Sequence, residues 1–299
     1  MDDTIITIYC LCDDFLKAIR HRHDDPQTRL STAEVMTIPL VASTFFGGEI
    51  EKTRRFLHEY GYMKKMISKS HLNRRLHAIE PTLWRVLFEL LAQAFIERND
   101  SDQTYAVDSL PVAVCDNIRI RRCRLYPLEV EEGYDGDGDD DDDDDDDEAP
   151  KRKSFRGYIA SKRRYFYGLR VHLVVTGAGE PVEFSLAAGS EADVTVFRDL
   201  NLDFLPEGSI ICADKAYTDY DYEDLLKEVG LHLKAQRKKN SKRPLAAWEE
   251  FLGKPIRQYI ETVFSRLTNF FPKKIHAVTP SGFELKIVCF LLAFSIQCL

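Results

Sequence analysis

The sequence predicts a helical first third followed by a mixed α/β domain. Two observations carry that reading. Through residues 1–99 apolar side chains recur at three- and four-residue spacing, the period of an amphipathic helix. From residue 103 the pattern changes to short apolar runs bounded by turn residues, first strands together and then strand and helix in alternation.

Taken in order, Ile5, Ile6, Tyr9, Cys12, Leu16 and Ile19 mark the first helix. Ser31 and Glu34 form a capping-box pattern ahead of a second, apolar helix. Glu51–Tyr60 and Ser68–Ile79 read as two short helices joined at a turn at Gly61. The second carries Lys69, His71, Asn73, Arg74, Arg75 and His77, which suits either a helix-turn-helix lying in a DNA groove or the solvated face of a bundle. Trp84, Leu87, Phe88, Leu91 and Phe95 form another stripe after Pro81, a residue favoured at helix starts. Thr104–Val107 and Val112–Cys115 read as two strands. Tyr165–Val175 and Val182–Ala187 form a hairpin across the Thr176–Glu180 turn, and Ile210–Ala213 is a short buried strand. Helices follow over Tyr220–Val229 and Pro255–Phe270. The final apolar run, Ile287–Leu299, is shorter than the ~20 residues that span a bilayer and is expected to be a buried C-terminal helix.

Composition narrows the function classes. The chain has 299 residues, 44% hydrophobic and 30% charged, the balance of a globular protein without a membrane partner. Asp2 and Asp3 stand where an export signal carries cations, so a cytoplasmic location is expected. The seven cysteines form no C-x-x-C pair, which disfavours zinc and suits free thiols. The net charge of −8 conceals an asymmetry. Residues 129–148 hold 15 acids and no base; the remainder has 41 basic against 34 acidic residues, a net of +7. The segment 129–150 is expected to be a disordered insertion. The rest has the charge of a phosphate-backbone binder.

Three acids stand where a metal site needs them. Asp108 follows TYAV, on or just past a strand, and Asp214 ends the apolar run SIICA. Glu261 lies in the Pro255 helix between Ile260 and Val263, so an inward orientation is expected. Two strand-borne aspartates and a helix-borne glutamate can converge, and oxygen-only ligands suit magnesium or manganese. Two such ions stabilise the attacking and leaving oxygens of a phosphodiester in-line displacement. Each acid also has a plainer role, since aspartate at a strand end commonly caps a turn. Arg257, four residues before Glu261, shares its helix face.

The surrounding residues add to this reading. VDSLPVAVC at 107–115, ADKAYTD at 213–219 and IETVFSRL at 260–267 closely resemble the three active-site blocks of DDE insertion-sequence transposases, and of the insertion-sequence-982 group in particular. FYGLRVHLVV at 166–175, the Gly189–Asp193 stretch and the helical first third resemble that group too. The resemblance implies an RNase H-like catalytic core, placed over 100–299 behind a helical domain over 1–99 in which a DNA-binding helix-turn-helix and a structural bundle both stay open. It implies catalysis by Asp108, Asp214 and Glu261 with two Mg2+ or Mn2+ ions, and recognition of terminal inverted repeats in double-stranded DNA. Analogy adds a homodimer when active. Thr268 stands where related families carry a cation seven residues after the glutamate, and the acidic insertion is foreign to the pattern.

Two basic stretches are candidate DNA contacts. The first, Lys151 to Tyr167, interleaves Lys151, Arg152, Lys153, Lys162, Arg163 and Arg164 with aromatics. The second, Lys234 to Arg243, includes Arg237, Lys238 and Lys239. Arg74, Arg75 and Arg257 complete the set. His172 reads as structural, while Tyr217 and Asp219 are candidates for supporting the centre.

Overall fold

The computed structural model describes residues 1–21, 24–25, 27–99, 101–115, 120, 123–126, 155–159, 163–238, 240–244 and 247–299, without the side chains of 247–250 and 252–257. The predicted acidic insertion lies outside the described residues.

Among the described residues five helices come first: α1 (Asp2–Ala18), α2 (Thr32–Phe45), α3 (Ile50–Glu59), α4 (Lys69–Ala78) and α5 (Pro81–Arg98). The Ser31–Glu34 capping box forms in both directions, Glu34 N–H to Ser31 Oγ at 3.1 Å and Ser31 N–H to Glu34 Oε2 at 2.6 Å. It fixes the start of α2, whose residues Thr32 through Ser43 are buried apart from half-buried Glu34. Pro81 opens α5 as expected.

Six strands follow among the described residues: β1 (Thr104–Cys115), β2 (Arg156–Ile159), β3 (Arg164–Thr176), β4 (Pro181–Ala188), β5 (Ile210–Ala213) and β6 (His232–Ala235). They alternate with α6 (Asp193–Arg198), a 3-10 turn (Lys215–Tyr217) and α7 (Tyr220–Glu228), and end in α8 (Ala247–Phe270) and α9 (Pro280–Gln297). The long strand β3 is the spine of the sheet. Along one edge it pairs antiparallel with β1; along the other it takes β2 over Arg164–Tyr167 and β4 over Leu169–Val175. On the far side of β1, β5 and then β6 add in parallel. Three antiparallel strands, β4, β3 and β1, extended by two parallel ones with helices against them, form the RNase H-like mixed α/β architecture.

Two boundaries differ from the sequence reading. Thr104–Cys115 is one strand rather than two. Its pairing with β5 ends at Val107, so Pro111 sits where β1 has a free edge and its missing N–H breaks no ladder on that side. Helix α8 begins at Ala247, so Pro255 lies inside it instead of starting it. Gly168 permits the closest approach of β3 to β1, because a Cβ there would lie 2.3 Å from the Val112 carbonyl oxygen.

The helical first third and the sheet share one continuous apolar cluster, running from Ile5 to Ile296. The ring of Phe88 on α5 meets Phe184 on β4 edge-on at 4.8 Å. Beside it, Arg85 donates to both carboxylate oxygens of Glu183, at 2.6 and 2.5 Å, and to the Phe184 carbonyl at 2.9 Å. Helix α9 packs against α2, α5, α8 and β4. Although long and apolar enough to cross a membrane, it spends that surface on the core: Ile287, Leu291, Leu292 and Ala293 are fully buried.

Candidate active site

The end of the β1–β5 ladder pairs two carboxylates. In the parallel register Val107 aligns with Ala213, and Asp108 and Asp214 are the next residue on each strand. Neighbours in register share a face of the pleat, so the two side chains leave the sheet on the same side. Asp108 is half-buried and Asp214 exposed. Each accepts a local backbone hydrogen bond at 2.7 Å, Asp108 Oδ1 from Ser109 N–H and Asp214 Oδ1 from Lys215 N–H. Asp214 thereby also caps the 3-10 turn, so the plain role and the chemical one coexist.

Burial pushes the Asp108 carboxyl up from 3.8 to about 6; the Ser109 N–H opposes the rise, the carboxylates of Asp193 and Asp214 add to it, and Arg170 opposes it. A carboxyl shifted by desolvation together with specific charged neighbours is a candidate for a functional centre.

On the opposite face, behind Asp108, lies a buried polar network. Ser109 and His172 are cross-strand partners, and Arg170 lies two residues before His172 on the same face. Asp193, the first residue of α6, accepts from Arg170 Nη1 at 2.8 Å and from Ser109 Oγ at 3.1 Å. His172 is fully buried, with Nε2 3.8 Å from Asp193 Oδ1 and Nδ1 3.4 Å from the Tyr217 hydroxyl. Burial pushes this imidazole down to about 4, so it is neutral at physiological pH. Tyr217 stacks edge-on against Phe197 of α6 at 5.6 Å. Asp219 caps α7 through Tyr222 N–H and pairs with Arg198.

Neither Asp193 nor Arg170 is singled out by sequence reasoning. Each looks ordinary alone, a helix-opening acid and a strand cation. The sequence clue is the alternation of Arg170 and His172 within the apolar run GLRVHLVV: two polar side chains on one face of a strand otherwise built for burial.

Glu261 departs from the expected inward orientation. The buried stripe of α8 is Val263, Phe264 and Leu267, with Val263 against the Gly179 turn. Glu261 follows Ile260 by one residue, roughly 100° around the helix, and is exposed. Among the described residues no group of three His, Cys, Asp or Glu side chains stands close enough to hold a metal ion. Asp108 and Asp214 are brought together; Glu261 is not gathered with them.

The predicted DNA contacts separate into three sets. Arg74, Arg163, Arg164 and Lys238 are exposed. Two others are committed internally: Arg75 pairs with Asp24 and donates to the Leu30 carbonyl, and Arg237 makes two hydrogen bonds to Glu223 with both side chains about a tenth exposed. A cation already neutralised inside the fold has no charge to offer a phosphate, which removes these two from the set. Lys151, Arg152, Lys153, Lys162 and Lys239 lie outside the described residues; Arg257 is on α8, its side chain outside them.

A mixed sheet of the RNase H-like kind, with two aspartates side by side where its β1–β5 ladder stops, is the class that fold and site define. More specifically, the chain belongs to the transposase DDE domain family, whose family model matches residues 100–296. No curated protein matches it. Among solved structures it is similar to the Mos1 strand transfer complex, at 10% identity and a TM-score of 0.23 with 90% of this chain and 77% of that chain covered. Two further similar structures are a Mos1 transposase paired-end complex with the left transposon end (11% identity, TM-score 0.23, 95% and 87% covered) and a mariner Mos1 paired-end complex with Mg (11%, 0.22, 91% and 81%).

Proposed function

We propose that this chain is an insertion-sequence transposase that cleaves DNA at transposon ends and transfers the strand to target DNA, with Asp108 and Asp214 at the centre and Glu261 as third acid. Family membership supplies the reaction class. The observation that carries the reading is the Asp108–Asp214 pair, one carboxyl of which burial and its acidic neighbours hold up at about 6. Two adjacent carboxylates, with Asp108 raised by burial and by the charge of its acidic neighbours, favour a divalent cation between them, and an all-oxygen donor set fits Mg2+ or Mn2+. Such a cation, when bound, activates the attacking oxygen and stabilises the leaving one.

The chain's own residues do the rest. The strands fix Asp108 and Asp214 side by side, and the Ser109 and Lys215 N–H groups orient one oxygen of each. In this reading exposed Arg74, Arg163, Arg164 and Lys238 meet the phosphate backbone of inverted repeats and target. Arg257 and the basic residues outside the described set extend that surface, and two copies of the chain bring two ends together.

The exposure of Glu261 favours a second reading, a transposase-derived protein that binds DNA without cutting it. A precut-end strand-transfer assay and a cleavage assay on duplex ends, in Mg2+ and in Mn2+, separate the readings. Asp108→Asn, Asp214→Asn and Glu261→Gln should each abolish both reactions while retaining DNA binding. Cleavage by Glu261→Gln at the wild-type rate would remove the glutamate from the centre; a wild-type protein inert in both assays would leave only the binding reading.

A further inference from the structure

The polar network behind Asp108 is an uneconomical way to stabilise a sheet. Arg170 and Asp193 are both more than four-fifths buried as side chains, and apolar residues of the same shape are commonly at least as stabilising as a buried ion pair. Two of its nitrogens, Arg170 Nε and His172 Nε2, are buried with no hydrogen-bond partner among the described residues. The network is centred on Ser109, which is gripped from both sides. Its Oγ donates to Asp193, and its N–H donates to Asp108. Arg170 continues the chain outward, donating from Nη2 to the Tyr158 carbonyl at 3.2 Å and so tying β2 to the same node.

We propose that Asp193 is a positioning residue of the catalytic centre: through Ser109 it fixes the stretch of β1 that presents Asp108. This rests on the transposase reading. Beyond Val107 strand β1 has lost its β5 neighbour, so at Asp108 the backbone is held by the β3 ladder on one side only. A side-chain tether at the next residue replaces the missing support. Asp193 reaches Ser109 from α6, an element anchored independently by fully buried Phe197.

The test compares Asp193→Asn and Ser109→Ala with the wild-type full-length chain. Mn2+ affinity is measured on DNA-free protein by electron paramagnetic resonance of the free ion, alongside kcat for end cleavage, Kd for end DNA and thermal melting. Loss of a group that orients a metal ligand typically costs about 10–100-fold in metal affinity or activity, so Mn2+ affinity and kcat should fall by that order while Kd for DNA stays within about twofold. Ser109→Ala keeps the Asp193–Arg170 pair, so it should fold normally and still show the same direction of loss. Wild-type Mn2+ affinity and kcat in both variants overturn the proposal. So does a loss in Asp193→Asn that a large fall in melting temperature accompanies and Ser109→Ala does not share. Asp108→Asn is the control on the underlying reading: cleavage retained there sinks the transposase assignment itself, a result distinct from either of these.

Discussion

Replacing Asp108 by asparagine should stabilise the fold above pH 6 in the absence of divalent cation. The folded-state carboxyl titrates near 6 against an ordinary 3.8, chiefly because burial penalises the charged form. A raised carboxylate favours the folded state only while protonated. The favourable contribution is complete below about pH 4, is lost as pH rises through about 6, and its loss is then constant. The interval from 3.8 to about 6 corresponds to about 3 kcal/mol at 1.36 kcal/mol per pH unit. Asparagine keeps the shape, can accept the Ser109 N–H, and never ionises. The assay is urea denaturation of wild type and Asp108→Asn in EDTA from pH 4 to pH 8. The variant's advantage should be near zero at pH 4, grow through pH 5 to 6, and level off at up to about 3 kcal/mol. Saturating Mn2+ at pH 7.5 should return much of the difference to the wild type alone. An advantage that does not change with pH, or a variant less stable than wild type at pH 8, would refute the idea that desolvation and like charge dominate at this position.

Other substitutions probe the scaffold and the DNA surface. Arg85→Ala strands the Glu183 carboxylate, 3% exposed, without its cation and should cost about 3–5 kcal/mol, read from the urea midpoint. Arg237→Ala should likewise lower the melting temperature, because it uncovers buried Glu223, while leaving the salt dependence of DNA binding unchanged. Arg74→Ala together with Lys238→Ala should do the reverse, leaving melting unaltered and reducing the slope of log K against log salt by about one per lost phosphate contact. Gly168→Ala places a Cβ 2.3 Å from the Val112 carbonyl, within the strand pair that carries Asp108, and should destabilise the fold enough to lower soluble yield and melting temperature together.

What the sequence discloses follows the range of each interaction. The helices of the first third and the β3–β4 hairpin are local, set by period, caps and turn residues, and the chain states them openly: Ser31 with Glu34, Pro81, Gly179. Proline interrupts a strand by local pattern, so Thr104–Val107 and Val112–Cys115 read as separate strands. Only the end of the β5 ladder, a contact with residues 210–213, shows why proline is tolerated there. The buried face of α8 differs from the sequence expectation for the same reason. Ile260 and Val263 flank Glu261 in sequence, yet the surface that α8 buries is chosen by the Gly179 turn, which the local pattern does not contain. Surface charge is the least legible property. Arg75 looks like its neighbour Arg74, and only a partner 51 residues away, Asp24, turns it inward.

The position of the aspartates has a physical reason that the fold supplies and the motif does not. A charge inside the five-strand path would be sealed between buried neighbours: Val107 and Ala213, the last paired residues, are both essentially inaccessible. One residue further, the β1–β5 ladder stops and solvent enters from one side. Asp108 and Asp214 therefore occupy the first positions at which two carboxylates can sit side by side, with Asp108 buried enough for its carboxyl to be pushed up and Asp214 open enough to admit a cation. In open α/β sheets ligands gather at the carboxyl ends of parallel strands for this reason. The same ladder end leaves β1 without a neighbour where alignment matters most. A site built there needs a tether from outside the sheet, and α6 is the element that brings one to Ser109.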